Sequence, residues 1–210
     1  PVGRIGDYAF EGNALTAINL PSSITVIGAS AFADNQLTAV SFPNAVTLGD
    51  SAFYNNQITT QGLDLTGVTF IGGYAFADNK LTGTLVIPSS VETIGNTAFV
   101  GTHYHGVNVA APTGNDLSAV DFSQATNLKT IADGAFMSNS LQTLTIPSNV
   151  TLINVNAFAD NALISVNLSD ANLVLGSGVF DGNEISSVTG YANTTYNTGT
   201  AATGTFAQQF

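Results

Sequence analysis

The sequence predicts a mainly β solenoid of about eight coils of about 22 residues, with a parallel β-sheet on one face and short strands or turns on the other. A small residue followed by Phe recurs eight times, at Phe10, Phe32, Phe53, Phe76, Phe99, Phe136, Phe158 and Phe180. Successive Phe are 22, 21, 23, 23, 37, 22 and 22 residues apart, so one enlarged copy lies between Phe99 and Phe136. Three residues after seven of these Phe stands an Asn: Asn13, Asn35, Asn56, Asn79, Asn139, Asn161 and Asn183. A fixed period of this size marks stacked units, none of which can bury its apolar face alone.

Each coil is read in order. Five residues after the Phe comes Leu15, Leu37, Ile58, Leu81, Leu141, Leu163 or Ile185, followed by an alternating pair such as Ile18/Leu20, Leu144/Ile146 or Val166/Leu168. Alternation at period two describes a half-buried strand. Copies of this strand are expected to pair in parallel as the main sheet. Pro21, Pro43, Pro88 and Pro147 follow it directly, and a residue without an N–H ends ladder pairing. A second short extended piece, such as Ile24–Gly28, then leads to an aliphatic residue five before the Phe (Ile5 to Leu175) and, in six copies, to a Gly four before it. That Gly suits a positive φ or a close backbone approach. Stacked coils should place the Phe rings roughly 5 Å apart as a spine. The Asn column, with Asn115 resuming it after the enlarged copy, should bond the backbone of its own turn and the next, a structural ladder.

Composition excludes several functions. Three basic residues (Arg4, Lys80, Lys129) against fourteen acidic ones give a formal charge of −11. No basic patch can form for nucleic acid or an anionic membrane surface. Cysteine is absent, so there are no disulfides, thiol nucleophiles or thiolate metal sites. No apolar run approaches the roughly 20 residues of a spanning helix, and membrane insertion is not expected. With two His and dispersed carboxylates, no nucleophile, base and orienting group converge, so the expectation is no enzyme, no cofactor and no metal site.

The unit Leu-x-x-(Ile/Val)-x-(Leu/Ile)-Pro-x-x-(Val/Ile)-x-x-Ile-Gly-x-x-Ala-Phe-x-x-Asn, closely written in Ile87–Phe99, resembles the BspA-like (Treponema-type) leucine-rich repeats. Many members carry Cys at the ladder position; Asn stands there in this chain. The resemblance implies a leucine-rich repeat solenoid from an exported bacterial surface protein, associated with adhesion to host, matrix or cell-surface proteins. Residues 1–189 are assigned to the solenoid, with an insert at about 100–114, and 190–210 to a C-terminal cap or linker. Pro1 falls inside a repeat, as expected of a fragment of a longer precursor, and the resemblance places that precursor outside the cell or at its surface.

Candidate contacts lie where the repeat is interrupted or faces outward. The insert holds both histidines of the chain, His103 and His105, around Tyr104. Such a loop could be a protruding hairpin or a partner contact, and an alternating His pair on an extended strand could ligate a metal with Asp116. Outward positions of the main sheet are small and neutral, including Thr84, Thr143, Thr145, Ser165 and Asn167, along a face of about 38 Å. Asp34, Asp78 and Asp160, just before the ladder Asn, are read as solvated turn residues. Two functions remain: an extracellular protein-interaction or adhesion module, with another protein as partner, or a structural spacer displaying other domains.

Overall fold

In the computed structural model, the described residues are 3–102, 114–169 and 172–192, together with the backbone of Thr195–Tyr196. They form a parallel β-solenoid of about eight coils, almost without helix. The fold class is the one the sequence predicts.

The longer ladder, however, lies opposite the expected main sheet. A nine-stranded parallel sheet is built from the short pieces preceding each Ala-Phe turn, from Arg4–Ile5 through Val26–Ile27, Val46–Leu48, Val68–Ile71 and onward to Val174–Leu175 and Thr195–Tyr196. The Leu-x-x-Val strands form three separate sheets instead. These are Val40–Ser41 with Leu63–Asp64, Thr82–Val86 with Asp116–Asp121, and Thr143–Thr145 with Ser165–Asn167 and Ser187–Thr189.

The reason is segment length. From the aliphatic residue before the Gly column to the Phe is always five residues, so that side repeats in register. On the other side, Leu37 precedes Val40 by three residues, whereas Ile58 precedes Leu63 by five and Leu81 precedes Leu85 by four. The extra residues are absorbed by a 3-10 turn at Thr60–Gly62 and by a register shift at Gly83, whose φ is +72°. Between Phe122 and Ile131 there are nine residue steps, against seven between Ile146 and Ile153. The strands that precede these segments, Asp116–Asp121 and Thr143–Thr145, share no ladder.

One contiguous apolar core runs the length of the coil stack. The Phe rings stack with centroids 5.2 to 5.6 Å apart from Phe10 to Phe158, and 6.1 Å apart at Phe158–Phe180. Phe99 and Phe136 stack at 5.3 Å although 37 residues separate them, so the spine runs on across the enlarged copy.

The Gly column answers to close approach rather than positive φ. A Cβ on Gly72 would lie 2.4 Å from the Gly49 carbonyl carbon, and one on Gly95 2.7 Å from that of Gly72. Left-handed residues stand instead two before and two after the Phe. The first position has positive φ in all eight coils, and most of its occupants are not glycine: Tyr8, Ser30, Ser51, Tyr74, Thr97 and Asn156. The second includes Asp34, Asn55, Asp78, Ser138 and Asp160. Asn and Asp tolerate this region; Tyr and Thr do so at a cost.

Candidate functional site

The Asn side chains come first, because they set the spacing of everything else. From Asn35 to Asn183, each Oδ1 accepts the N–H of the aliphatic residue in the preceding coil: Leu15, Leu37, Ile58, Leu81, Leu117, Leu141 and Leu163, at 2.9 to 3.2 Å. Each Nδ2 donates back to the preceding coil's Phe carbonyl at 2.8 to 3.0 Å. Asn56, Asn79, Asn115, Asn139 and Asn161 are fully buried. Asn13 is exposed and donates to Glu11 O at 3.1 Å.

His103, Tyr104 and His105 lie outside the described residues. The neck of their insert is described. Thr102 N–H donates to Asn115 O at 3.2 Å, Gly101 pairs with Asn115 as an isolated bridge, and Gly101 N–H donates to Met137 O at 2.8 Å. A Cβ on Gly101 would lie 2.0 Å from Ser138 O, so the chain passes the next coil with no room for a side chain. Among the described residues no group of three or more His, Asp or Glu could hold a metal ion, and no helix is long and apolar enough to cross a membrane.

Thr84, Thr143 and Thr145 come together around an open groove of about 400 Å³, whose lining also includes Ala119, Asp121 and Pro147. It follows the break between the Thr82–Asp121 strand pair and the next sheet. Among the described residues, the Asp116–Asp121 strand is laddered only to Thr82–Val86, and Thr143–Thr145 only to Ser165–Asn167. Ser165 and Asn167 sit one coil further on, opposite Thr143 and Thr145 in register, and extend the surface without lining the groove. A second groove of about 160 Å³ follows the other break, between Leu63–Leu65 and Thr84–Val86.

Asp34 and Asp78 are more engaged than solvated turn residues would be. Asp34 Oδ1 accepts from Asn55 Nδ2 at 2.7 Å, across coils. A hydrogen bond to Asp78, followed by partial burial and the nearby negative charges of Asp78 and Asp34, raises the Tyr54 phenol above its ordinary value. Stacking puts side chains from the same turn position of adjacent coils within reach, which the linear spacing of the acids does not convey. Sequence reasoning missed Phe70 and Tyr74, both exposed on the side of the nine-stranded sheet. Their signal is an aromatic ring at columns where the adjacent coils hold Thr47 and Thr93, and Ser51 and Thr97.

The family model of the BspA type leucine rich repeat region, in six copies, matches residues 3–116 and 113–203. The chain belongs to this family. BspA-type repeats are typical of bacterial surface proteins, generally mediate protein–protein interaction, and typically form a non-catalytic scaffold. Among solved structures, a leucine-rich repeat protein from Bacteroides ovatus ATCC 8483 is similar at 14% identity with a TM-score of 0.28, over 91% of this chain and 69% of that one. No curated protein matches the chain significantly.

Proposed function

We propose that this BspA-type solenoid is a non-catalytic, extracellular protein-interaction module of a bacterial surface protein, adhering to a host or cell-surface protein through its Leu-x-x-Val face. The observation that carries this is the groove beside Thr84, Thr143 and Thr145, where two strand edges face each other without a shared ladder. Unpaired edge groups offer backbone hydrogen bonds to an extended segment of a partner. Flanking Thr and Ala side chains leave the approach open, and the acidic surface disfavours acidic partners. In this reading residues 1–189 form the binding rod and 190–210 cover its end, consistent with Thr195–Tyr196 pairing with Val174–Leu175.

The test is surface-based binding of the purified chain to a panel of extracellular matrix proteins and to intact cells. Saturable binding that is lost in Thr143→Lys/Thr145→Lys, with the melting temperature unchanged, supports the groove. No saturable binding across the panel sinks the proposal and leaves a structural spacer.

A further inference from the structure

The face opposite that groove carries a different kind of site. Reading across the nine-stranded sheet in register, one outward column runs Arg4, Val26, Thr47, Phe70, Thr93, Thr130, Leu152, Val174. Phe70 is its one aromatic member. It keeps the regular outward position, six residues before the spine Phe, as Thr47 and Thr93 do; Val68–Ile71 is a residue longer than the preceding strand, so Val46 pairs with Val68 but Thr47 with Phe70, and the bulge beside the ring absorbs Thr69. Beside it stands Tyr74, half exposed, in the left-handed region at φ +55°. Its backbone is held at both ends, the N–H by Asn96 O at 2.8 Å and the carbonyl by Ala77 N–H at 3.1 Å.

Between the two rings is a depression of about 330 Å³, lined by Asp50, Thr93 and Asn96 as well. Its floor is left open by Gly73. Other coils place Asp7, Ala29, Asp50, Asn96, Asp133, Val155 or Ser177 at this position, three before the Phe, and a Cβ on Gly73 would approach Asn96 O to 3.3 Å. Asp50 is fixed from one side: its Oδ1 accepts Gly73 N–H at 2.7 Å, while its second carboxylate oxygen has no partner among the described residues. Three departures from the repeat therefore coincide at one place: the bulge, the bare glycine and the exposed aromatic pair.

We infer that this depression binds a neutral monosaccharide unit of a glycan. Exposed aromatic rings offer an apolar surface to the C–H face of a pyranose, while a few fixed polar groups read its rim. The carboxylate of Asp50 accepts from sugar hydroxyls, the Asn96 amide both donates and accepts, and the Thr93 hydroxyl does either. A sugar hydroxyl also does both, so the donors and acceptors can be matched. A Lys or Arg side chain would satisfy Asp50 but has no acceptor for the Thr93 and Asn96 donors. Asp50 and the net charge of −11 oppose an anionic ligand. The site is on the other face from the Thr84–Thr143–Thr145 groove and stands whether or not that groove binds protein.

The test is a protein-observed NMR titration of the whole chain with methyl β-glucoside, methyl β-galactoside, methyl α-mannoside and N-acetylglucosamine, followed at the Gly73 amide and by saturation transfer to the sugar. At least one sugar should bind saturably, with shifts centred on Gly73, Phe70, Tyr74 and Thr93. Phe70→Thr and Tyr74→Ser install residues that neighbouring coils already hold at those positions, so the fold is kept. Each should weaken binding about tenfold, a loss of about 1.4 kcal/mol. Tyr74→Phe should keep affinity within about twofold and Asp50→Asn should weaken it several-fold. Saturation by none of the four sugars overturns the inference, as does affinity that Phe70→Thr leaves unchanged. Binding of acetyl-arginine amide at Gly73 in place of all four sugars overturns it in favour of a cation site.

Discussion

Asn79→Ala tests how much of the solenoid is held by its buried amide column. Asn79 is fully buried; its Oδ1 accepts Ile58 N–H at 3.0 Å and its Nδ2 donates to Phe53 O at 2.9 Å, Phe76 O at 3.2 Å and Ala77 O at 3.3 Å. Not all of these groups would be stranded. Phe76 O keeps the Asn115 amide at 2.8 Å, Ala77 O keeps Asn55 N–H at 3.1 Å, and Phe53 O keeps a longer bond from Asn56 at 3.3 Å. Only the Ile58 N–H, on a fully buried residue, loses its partner completely. A stranded buried donor costs about 1–3 kcal/mol, and weakening the Phe53 carbonyl adds about 1, so the expected loss is about 2–4 kcal/mol. Asn13→Ala, at an exposed position with one local bond, should cost under about 0.5 kcal/mol. Urea denaturation of both variants measures the difference, and amide exchange at Ile58 shows whether the opening is local, as nearest-neighbour coupling of coils allows. Equal stability of the two variants, or an unchanged exchange rate at Ile58, would refute the assignment of that N–H to Asn79.

Three further outcomes follow from individual side chains. Gly72→Ala forces a Cβ against the Gly49 carbonyl and should cost about 1–3 kcal/mol by thermal or urea melting, whereas Ala132→Gly in the same column should stay close to wild type. Thr97→Gly removes a β-branched residue from φ +50° and a buried hydroxyl with no partner; against the entropy cost of glycine, the net should be a gain of about 1 kcal/mol in denaturant stability. The Tyr54 phenol is raised in the folded chain, so its bond to Asp78 contributes below the ordinary tyrosine value and is lost as pH rises through the folded one. Comparing wild type with Tyr54→Phe, the stability difference should vanish in strong alkali and be present at neutral pH.

The repeating part of this fold is legible because each column reports one contact that recurs in every coil. The Phe spine could be read from spacing alone, even across the 37-residue gap, since only stacked rings need equal heights. What could not be read was which side carries the continuous sheet. Both sides alternate apolar and polar residues, and the decision rests on whether segment lengths are constant, at Ile58–Leu63 and Leu81–Leu85 as much as in the regular coils. The Gly column was open between two physical causes, and only coordinates separate steric approach from φ. Thr84, Thr143 and Thr145 were named as outward residues, but their convergence on one groove depends on the break in the sheet beside them. Phe70 and Tyr74 stand in register six and two residues before Phe76, but the spacing does not convey that the side they face outward from carries the continuous sheet.

The irregular coils are contiguous, and this has a physical consequence. The Val46/Thr47 register shift, the Thr60–Gly62 turn, the Gly83 shift and the Gly101–Asn115 neck all fall between residues 46 and 115, while the strands from Thr143 to Thr189 pair without interruption. Each irregularity gives up ladder hydrogen bonds that a regular coil would form, so it destabilises the rod unless neighbouring coils hold it in place. They do: the Phe stack and the Asn amides cross this region with spacings like those elsewhere. The invariant corner therefore carries the stability, which leaves the two sheet faces free to bulge, break and open grooves. A binding surface built on this solenoid is expected where the corner is intact and the faces are not, and the middle coils meet that condition on both sides.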